Sequence, residues 1–555
     1  MAKAAIPSNV HEKGLANEFA RPFLFDGWEP FSVMSDMKGV IRIFDADISS
    51  AIASTVSKVS RHFAPHPELV ADLERQLKRK IYDLSYRTVV GLYQAKFSEQ
   101  TFEDFTEALT TAKGSAYLSG MFPVLIDIVT SEIARFSSEA ALILHRFAED
   151  ASDIGQLTGD SVTGETLRRL TLGLGDLHRG GQSVSSLEFE DGTRVVYKPR
   201  PLDTDLALAK LFAFVGEASG IDQRLPKLVR RPAYGWVEFI PYVECKQPEE
   251  LVRYYRRVGA LVGILYAINA FDFHYENLIS CGEFPILVDC ETLFHPHSRI
   301  FATETNTGID DSVLMVGILP VRVTLGNGKS ADIGGVTDVS TQDSAIEQLV
   351  LSQDESGKFS FARKIGKLQG GSNVPTYEGR LVTPASEHVE AILDGLSATY
   401  KAIVADKEGF IECFEHFENA EIRVLFRATI TYSHLIEESL HPTLLRSKER
   451  YDAHFGGLSV LSKGYRLGQE ILDFELDALQ ERDVPYFSCT FGNNDLIAND
   501  RMRKPDFFLE NGKSLAVKKV RAMDEDDLQN QLWIARKALE ISRTELTESN
   551  QLQEA

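Results

Sequence analysis

The stretch Phe271-Asp272-Phe273-His274-Tyr275-Glu276-Asn277-Leu278-Ile279, continued by Pro285-Ile286-Leu287-Val288-Asp289-Cys290-Glu291-Thr292, carries the densest chemistry in the chain. Its first half crowds two acids, an imidazole and an amide together, the composition of a loop whose side chains serve one another or a ligand. Its second half is an apolar run that ends in Asp289 and Glu291, as a buried strand does when it delivers carboxylates to the edge of a core. Upstream, Pro248–Ala270 reads as a long helix. Proline stands at its start, and Val252, Tyr255, Val258, Val262, Leu265 and Ile268 recur at helical spacing.

Phosphoryl transfer to a hydroxyl needs a carboxylate to take the proton, oxygen ligands for magnesium, and a cation bracing the phosphates. Asp272 and Asn277 stand five residues apart, the interval at which protein kinases hold a catalytic Asp and a metal-binding Asn. Asp289 follows at the end of the next strand, where a second metal ligand belongs, and one Asn with one Asp suits magnesium. His274, beside Asp272, orients the loop or contacts phosphate. The cation is Lys198. It closes the second arm of a hairpin predicted over Ser186–Lys198, two β-type runs turned by Asp191-Gly192. A helix is expected over about Asp203–Ala218, ending near Gly220, and a strand over Gly235–Ile240 before Pro241. Gly180-Gly181, ahead of the hairpin, is a weak signal for backbone near phosphate; no G-x-x-x-x-G-K-[ST] run occurs, which excludes a P-loop NTPase. The bland reading keeps Asp272 and Asn277 as turn caps and Asp289 as a strand-end carboxylate. Arg423 and Arg427, taken by spacing alone, read as a solvated helix face.

The first 165 residues read as mostly helical, with a start at Pro67 and an apolar stripe of Ile133, Phe136, Ala140, Leu144 and Phe147 within Glu132–Glu149. The greasy run Met121–Ile126 is broken by Pro123 and is far too short to span a membrane. From residue 300 a Gly/Ser/Thr-rich loop region, Thr303–Gly335, precedes further helices. The chain has 555 residues, 43% apolar and 25% charged, as in a soluble enzyme. Its 59 basic against 81 acidic residues leave a net charge of −22, which argues against a nucleic-acid partner and obliges an anionic ligand to find a locally positive pocket. Five scattered cysteines without a C-x-x-C pair fit the cytoplasm and no structural zinc.

Taken together, Gly175-Asp176-Leu177-His178, Val196-Tyr197-Lys198-Pro199-Arg200, Tyr234-Gly235-Trp236-Val237-Glu238-Phe239, the Asp272-to-Glu291 run, Arg423-Val424-Leu425-Phe426-Arg427-Ala428-Thr429, Ser439-Leu440-His441-Pro442 and Asp483-Val484-Pro485-Tyr486-Phe487 resemble the dehydratase half of the class II lanthipeptide synthetases. The resemblance implies an α+β, lipid-kinase/protein-kinase-like bilobal core with large helical additions at both ends. In that layout, residues 1–165 are a mainly helical N-terminal region and 166–245 a β-rich N-lobe. Residues 246–555 are a C-lobe with an activation-loop region and elimination-site helices. It also implies ATP- and magnesium-dependent phosphorylation of Ser/Thr in a ribosomal precursor peptide, then loss of phosphate to leave dehydroalanine or dehydrobutyrine. By that analogy Asp272, His274, Asn277 and Asp289 serve phosphorylation, Lys198 and Glu238 bind the cofactor, and Arg423 and Thr429 serve elimination. Asp176, His178, Arg200, Glu291 and Arg427 support them. A full-length synthetase continues into a zinc cyclase; with no cysteine after Cys489, ring closure is not expected here. The chain is then either a stand-alone dehydratase or an excised half, and a separate cyclase is a candidate partner.

Two alternatives compete. One keeps the hydroxyl kinase and drops elimination, and Arg423 and Thr429 discriminate against it. The other is a non-catalytic peptide-binding scaffold on a kinase-like fold, whose mark would be loss of the lysine, the catalytic Asp or a metal ligand; all are present.

Overall fold

The computed structural model describes residues 34–159, 162–296, 311–324, 330–340, 342–353, 359–368, 370–384, 388–461, 468–499 and 502–554. Six helices come first: α1 (Met34–Arg42), α2 (Asp45–Val59), α3 (Pro67–Lys96), α4 (Phe102–Thr110), α5 (Ala112–Met121) and α6 (Pro123–Thr158). Pro67 and Pro123 both sit in first turns, where the missing N–H costs nothing. Pro123 therefore opens α6, which extends well beyond the expected Glu132–Glu149 at both ends, and the five stripe residues are all buried.

The helices lead into an antiparallel five-stranded sheet in the order β1 (Leu167–Thr171), β2 (Ser185–Phe189), β3 (Arg194–Lys198), β5 (Gly235–Glu238), β4 (Leu228–Arg230). Gly192 turns the β2–β3 hairpin at φ 88°, the left-handed conformation glycine accepts. Helix α7 (Asp203–Ser219) leaves β3 and ends on Gly220. The sheet shares one hydrophobic core with α1–α6: Leu187, Val195, Tyr197 and Trp236 pack with Phe136, Ala140 and Phe147. Asp150 of α6, buried, accepts hydrogen bonds from Tyr234 Oη (2.8 Å), Trp236 Nε1 (2.8 Å) and Arg231 Nε (2.8 Å), so one carboxylate ties the helix to β5.

A second core is built around α8 (Pro248–Ala267) and α9 (Val389–Ala405). Gly259 and Gly395 let the two backbones touch; a Cβ on either would overlap a carbonyl oxygen of the other helix. Tyr255, Val258, Val262 and Leu265 face this core, while Val252 is 48% exposed, because the buried face is centred one step round the helix. Hairpin β6 (Leu278–Cys281)/β7 (Phe284–Leu287) follows α8. Of the expected loop Thr303–Gly335, residues 303–310 and 325–329 lie outside the described residues. The rest forms a 3-10 turn at Val313–Val316 and part of hairpin β8 (Arg322–Thr324)/β9 (Ser330–Asp332). Two further hairpins come next, β10 (Asp343–Gln353)/β11 (Phe359–Lys367) and β12 (Thr376–Tyr377)/β13 (Arg380–Leu381). After α10 (Lys407–Glu412) a four-stranded sheet is assembled from β14 (Glu421–Val424), β15 (Phe487–Thr490), β16 (Leu496–Ala498) and β17 (Met502–Lys504). Between β14 and β15 run α11 (Thr429–Glu438), α12 (Lys448–Phe455), α13 (Gly457–Leu461) and α14 (Gln469–Gln480). Helices α15 (Gly512–Ala522) and α16 (Glu525–Glu554) close the chain. The architecture is α+β. Among the described residues no single helix is long and apolar enough to cross a membrane.

Candidate active site

Between the two cores lies a cavity of about 560 Å³, lined from one side by the five-stranded sheet and from the other by the segment after α8 and by β14. Asp272 takes φ 69°, a left-handed conformation, and Asn277 stabilises it by donating Nδ2–H to the Asp272 carbonyl at 2.7 Å. That bond leaves the Asn277 amide oxygen as its remaining ligand atom. Hairpin register then sets Asp289 beside it: Val288 N–H donates to the Asn277 carbonyl at 3.1 Å. The Asp272 carboxyl lies 3.7 Å from His274 Nε2; burial pushes its affinity for a proton up, an effect the nearby His274 and Arg423 only partly offset.

The cations come from β3 and its exit. Lys198, 5% exposed, donates to the Val288 carbonyl and stands 3.7 Å from Asp205 and 3.9 Å from Asp289. Arg200 spans three acids: Asp205 (2.7 Å), Asp289 (2.8 Å) and Glu291 (3.6 Å). Burial alone would raise the Asp205 carboxyl, but Arg200 and Lys198 outweigh it and hold it below the usual range. Glu291 is likewise held low against burial, by Arg423 first and Arg200 second. Glu238 faces the cavity from β5 and is fixed by Arg224 Nη2 (2.7 Å) and the Lys227 N–H (3.0 Å).

The β1–β2 loop forms another wall. It contributes Asp176 and His178 to the lining. His178 Nδ1–H donates to the Val484 carbonyl at 2.8 Å, which leaves the Nε2 lone pair to accept Arg423 Nη2–H at 3.4 Å. Burial, then the Arg423 charge, lower the imidazole to about 4, so it is neutral near pH 7. Arg423 lies on β14, not on an exposed helix face; it is ion-paired with Glu291, and Glu291 keeps its guanidinium charged against burial. Thr429 opens α11 at the cavity wall.

Twelve of the thirteen residues singled out in the sequence therefore line one cavity. Arg427 does not. It is 4% exposed and bonds Glu475 through Nε (2.8 Å) and Nη2 (3.1 Å) in a separate buried cluster with Tyr432. Nor does the Gly180-Gly181 pair line the cavity: the Gly180 N–H is taken by Asp483 at 2.6 Å. Sequence reasoning missed Asp205, the partly buried acid facing Lys198; its only signal is a carboxylate in a helix first turn, which the helix dipole favours anyway. It also missed Arg179, which lines the cavity from the β1–β2 loop.

Magnesium fits this donor set. Among the described residues no three His, Cys, Asp or Glu side chains converge as metal ligands; an ion held by Asn277 and Asp289 would need phosphate and water to complete its shell, a demand that magnesium tolerates.

Fold and cavity together define an α+β chain with a mixed-charge cleft between two cores. The family model described as a domain of unknown function, DUF4135, matches residues 122–490, and the chain belongs to that family. It is also 26% identical over 449 residues to the lacticin 481/lactococcin biosynthesis protein LcnDR2 of Lactococcus lactis subsp. lactis. That match covers 76% of this chain and 46% of LcnDR2, so the chain spans about half the length of the curated relative it matches. Both findings bear out the resemblance to the class II lanthipeptide synthetases.

Proposed function

We propose that the chain dehydrates serine and threonine in a ribosomally made precursor peptide, in the cytoplasm, by ATP-dependent phosphorylation followed by phosphate elimination on a bilobal kinase-like core. The observation that carries this reading is the single cavity shared by Lys198, Asp272, Asn277 and Asp289 on one side and Arg423 and Thr429 on the other. The relationship to LcnDR2, named for lacticin 481 biosynthesis, supports the coarser part of the reading, a role in lanthipeptide maturation.

Asp272, its carboxyl held toward the proton-accepting range, takes the hydroxyl proton of the peptide. Lys198 braces the phosphates, and Asp205 holds the lysine in place, as an acidic partner does in kinases. Asn277 and Asp289 would hold magnesium, which offsets phosphate charge during transfer. Val196, Ile240 and Leu278 offer the apolar wall that a nucleobase requires. In the second step the Arg423 guanidinium stabilises the departing phosphate.

Co-expression with a precursor peptide tests the reading by mass spectrometry. Dehydration appears as loss of about 18 Da per site, and a kinase without elimination as gain of about 80 Da. Neither change, with unaltered nucleotide binding in Asp289→Ala, would leave a scaffold.

A further inference from the structure

The Asp483-Val484-Pro485-Tyr486-Phe487 motif stands out in the sequence, yet the two chemical steps make no use of it. In the fold it threads beneath the β1–β2 loop. Asp483, 1% exposed, ion-pairs with Arg135 of α6 and accepts the Gly180 N–H. Val484 donates its N–H to the Leu177 carbonyl at 2.8 Å and accepts His178 Nδ1–H, so this one residue both anchors the loop and selects the imidazole tautomer. Tyr486 then projects a buried ring into the cavity wall. The Arg423 guanidinium sits 5.4 Å from the ring centroid, that of Arg179 sits 4.2 Å away, and the His178 ring meets it edge-on at 5.3 Å. The phenol O–H donates to Glu421 at 3.0 Å, and Glu421 also pairs with Arg179.

We infer that Tyr486 is a positioning residue for the elimination step, its ring holding the Arg423 guanidinium and the His178 imidazole in one fixed relation at the phosphate end of the cavity. This rests on the proposed dehydratase reading. Two guanidinium groups repel unless something separates and neutralises them; the π face of Tyr486 attracts both, while Glu291 and Glu421 supply the charge. The phenol does not itself act as a base, since burial and the nearby Glu291 and Glu421 keep it protonated.

Elimination removes the Cα proton, its electron pair forms the Cα=Cβ bond, and the Cβ–O bond breaks with its pair leaving on phosphate. Nothing is oxidised or reduced. The proton must go to an unprotonated nitrogen or a carboxylate and the negative charge to a cation, at a separation set by the substrate's own bonds. His178 Nε2, which accepts Arg423 Nη2–H at 3.4 Å, and the Arg423 guanidinium stand side by side at one such place. Without the ring, Arg423 is free to follow Glu291, and the geometry is lost.

The test supplies the purified chain with precursor, ATP and magnesium, and separately with a synthetic phosphoserine precursor. Tyr486→Leu should raise the ratio of phosphorylated to dehydrated product by about tenfold or more and slow elimination from the phosphopeptide equally. Tyr486→Phe, which keeps the ring, should restore the wild-type ratio. If the leucine variant loses its cooperative thermal transition, Tyr486→Met, whose unbranched flexible side chain adapts to the space and has no π face, carries the same comparison. An unchanged ratio in a folded Leu or Met variant overturns the inference, as does a Phe variant as defective as Leu. Wild-type chain that converts neither substrate instead overturns the dehydratase reading, so the two failures are distinct.

Discussion

Arg423 and Arg427 belong to one short motif and sit in opposite circumstances. Arg423 lies near the end of β14 at the cavity, with Glu291 and His178 for neighbours. Arg427 lies four residues on, after the strand has ended, and is ion-paired with Glu475, itself 0% exposed. The two should therefore separate experimentally. Arg423→Lys keeps the charge but loses the planar fork, and elimination from a phosphopeptide should fall by about 10²–10³. Arg427→Met leaves the buried Glu475 carboxylate without its cationic partner and should cost about 3–5 kcal/mol in denaturant unfolding, with little change in product partition among the molecules that remain folded. Equal effects on partition would contradict the placement of Arg427 outside the cavity. Their spacing suggests a shared exposed face only if the segment is helical; here β14 pairing and a bend intervene, and local sequence carries no sign of which partner strand will compete.

The β1–β2 loop is the element on which the Arg423 side of the cavity depends. It is tied to α6 through Glu139, whose carboxylate accepts the Ser183 N–H at 2.9 Å and Oγ–H at 3.3 Å. Burial raises Glu139 to about 7, against the Ser183 hydrogen bonds and the Lys80 charge. A carboxyl raised in the folded state binds more protons there than in the unfolded chain. Its contribution is complete below the unfolded value of 4.5 and is lost as pH rises through about 7. Thermal stability should fall across that window by up to about 3 kcal/mol, and Glu139→Gln should flatten the slope. The same helix holds the sheet through Asp150. Asp150→Ala strands the Trp236 indole N–H and the Tyr234 hydroxyl and should cost about 2–4 kcal/mol, seen as a lower thermal midpoint; a neutral outcome would mean that water replaces the carboxylate. That Tyr-Gly-Trp reads as a motif but not as a helix–sheet staple follows from physics: the acceptor lies on α6, far away in sequence.

At the scale of the molecule, two cores face each other across the cavity, and a ligand that touches both must stiffen their relation. ATP with magnesium should raise the midpoint of thermal unfolding, by an amount equivalent to about 2.7 kcal/mol when present at about a hundred times its Kd. Asp289→Ala should abolish the magnesium-dependent part of that shift; an identical shift with and without the ion in wild-type chain would speak against Asn277 and Asp289 as its ligands. The N-terminal helices are more than an appendage, because α3 and α6 supply the floor on which the sheet lies. Sequence alone determined the elements whose signals are local: the Asp-Gly hairpin, the proline-opened helices, and the reactive loop with its five-residue Asp-to-Asn interval. These depend on backbone conformations that a few neighbouring side chains dictate. Only tertiary structure decided that Lys198 meets Asp205, that Arg423 reaches Glu291 and His178 while Arg427 turns away, and that Tyr486 stands among them. Each of those contacts joins residues distant along the chain, and burial of two apolar cores, rather than any preference of the residues themselves, brings them together.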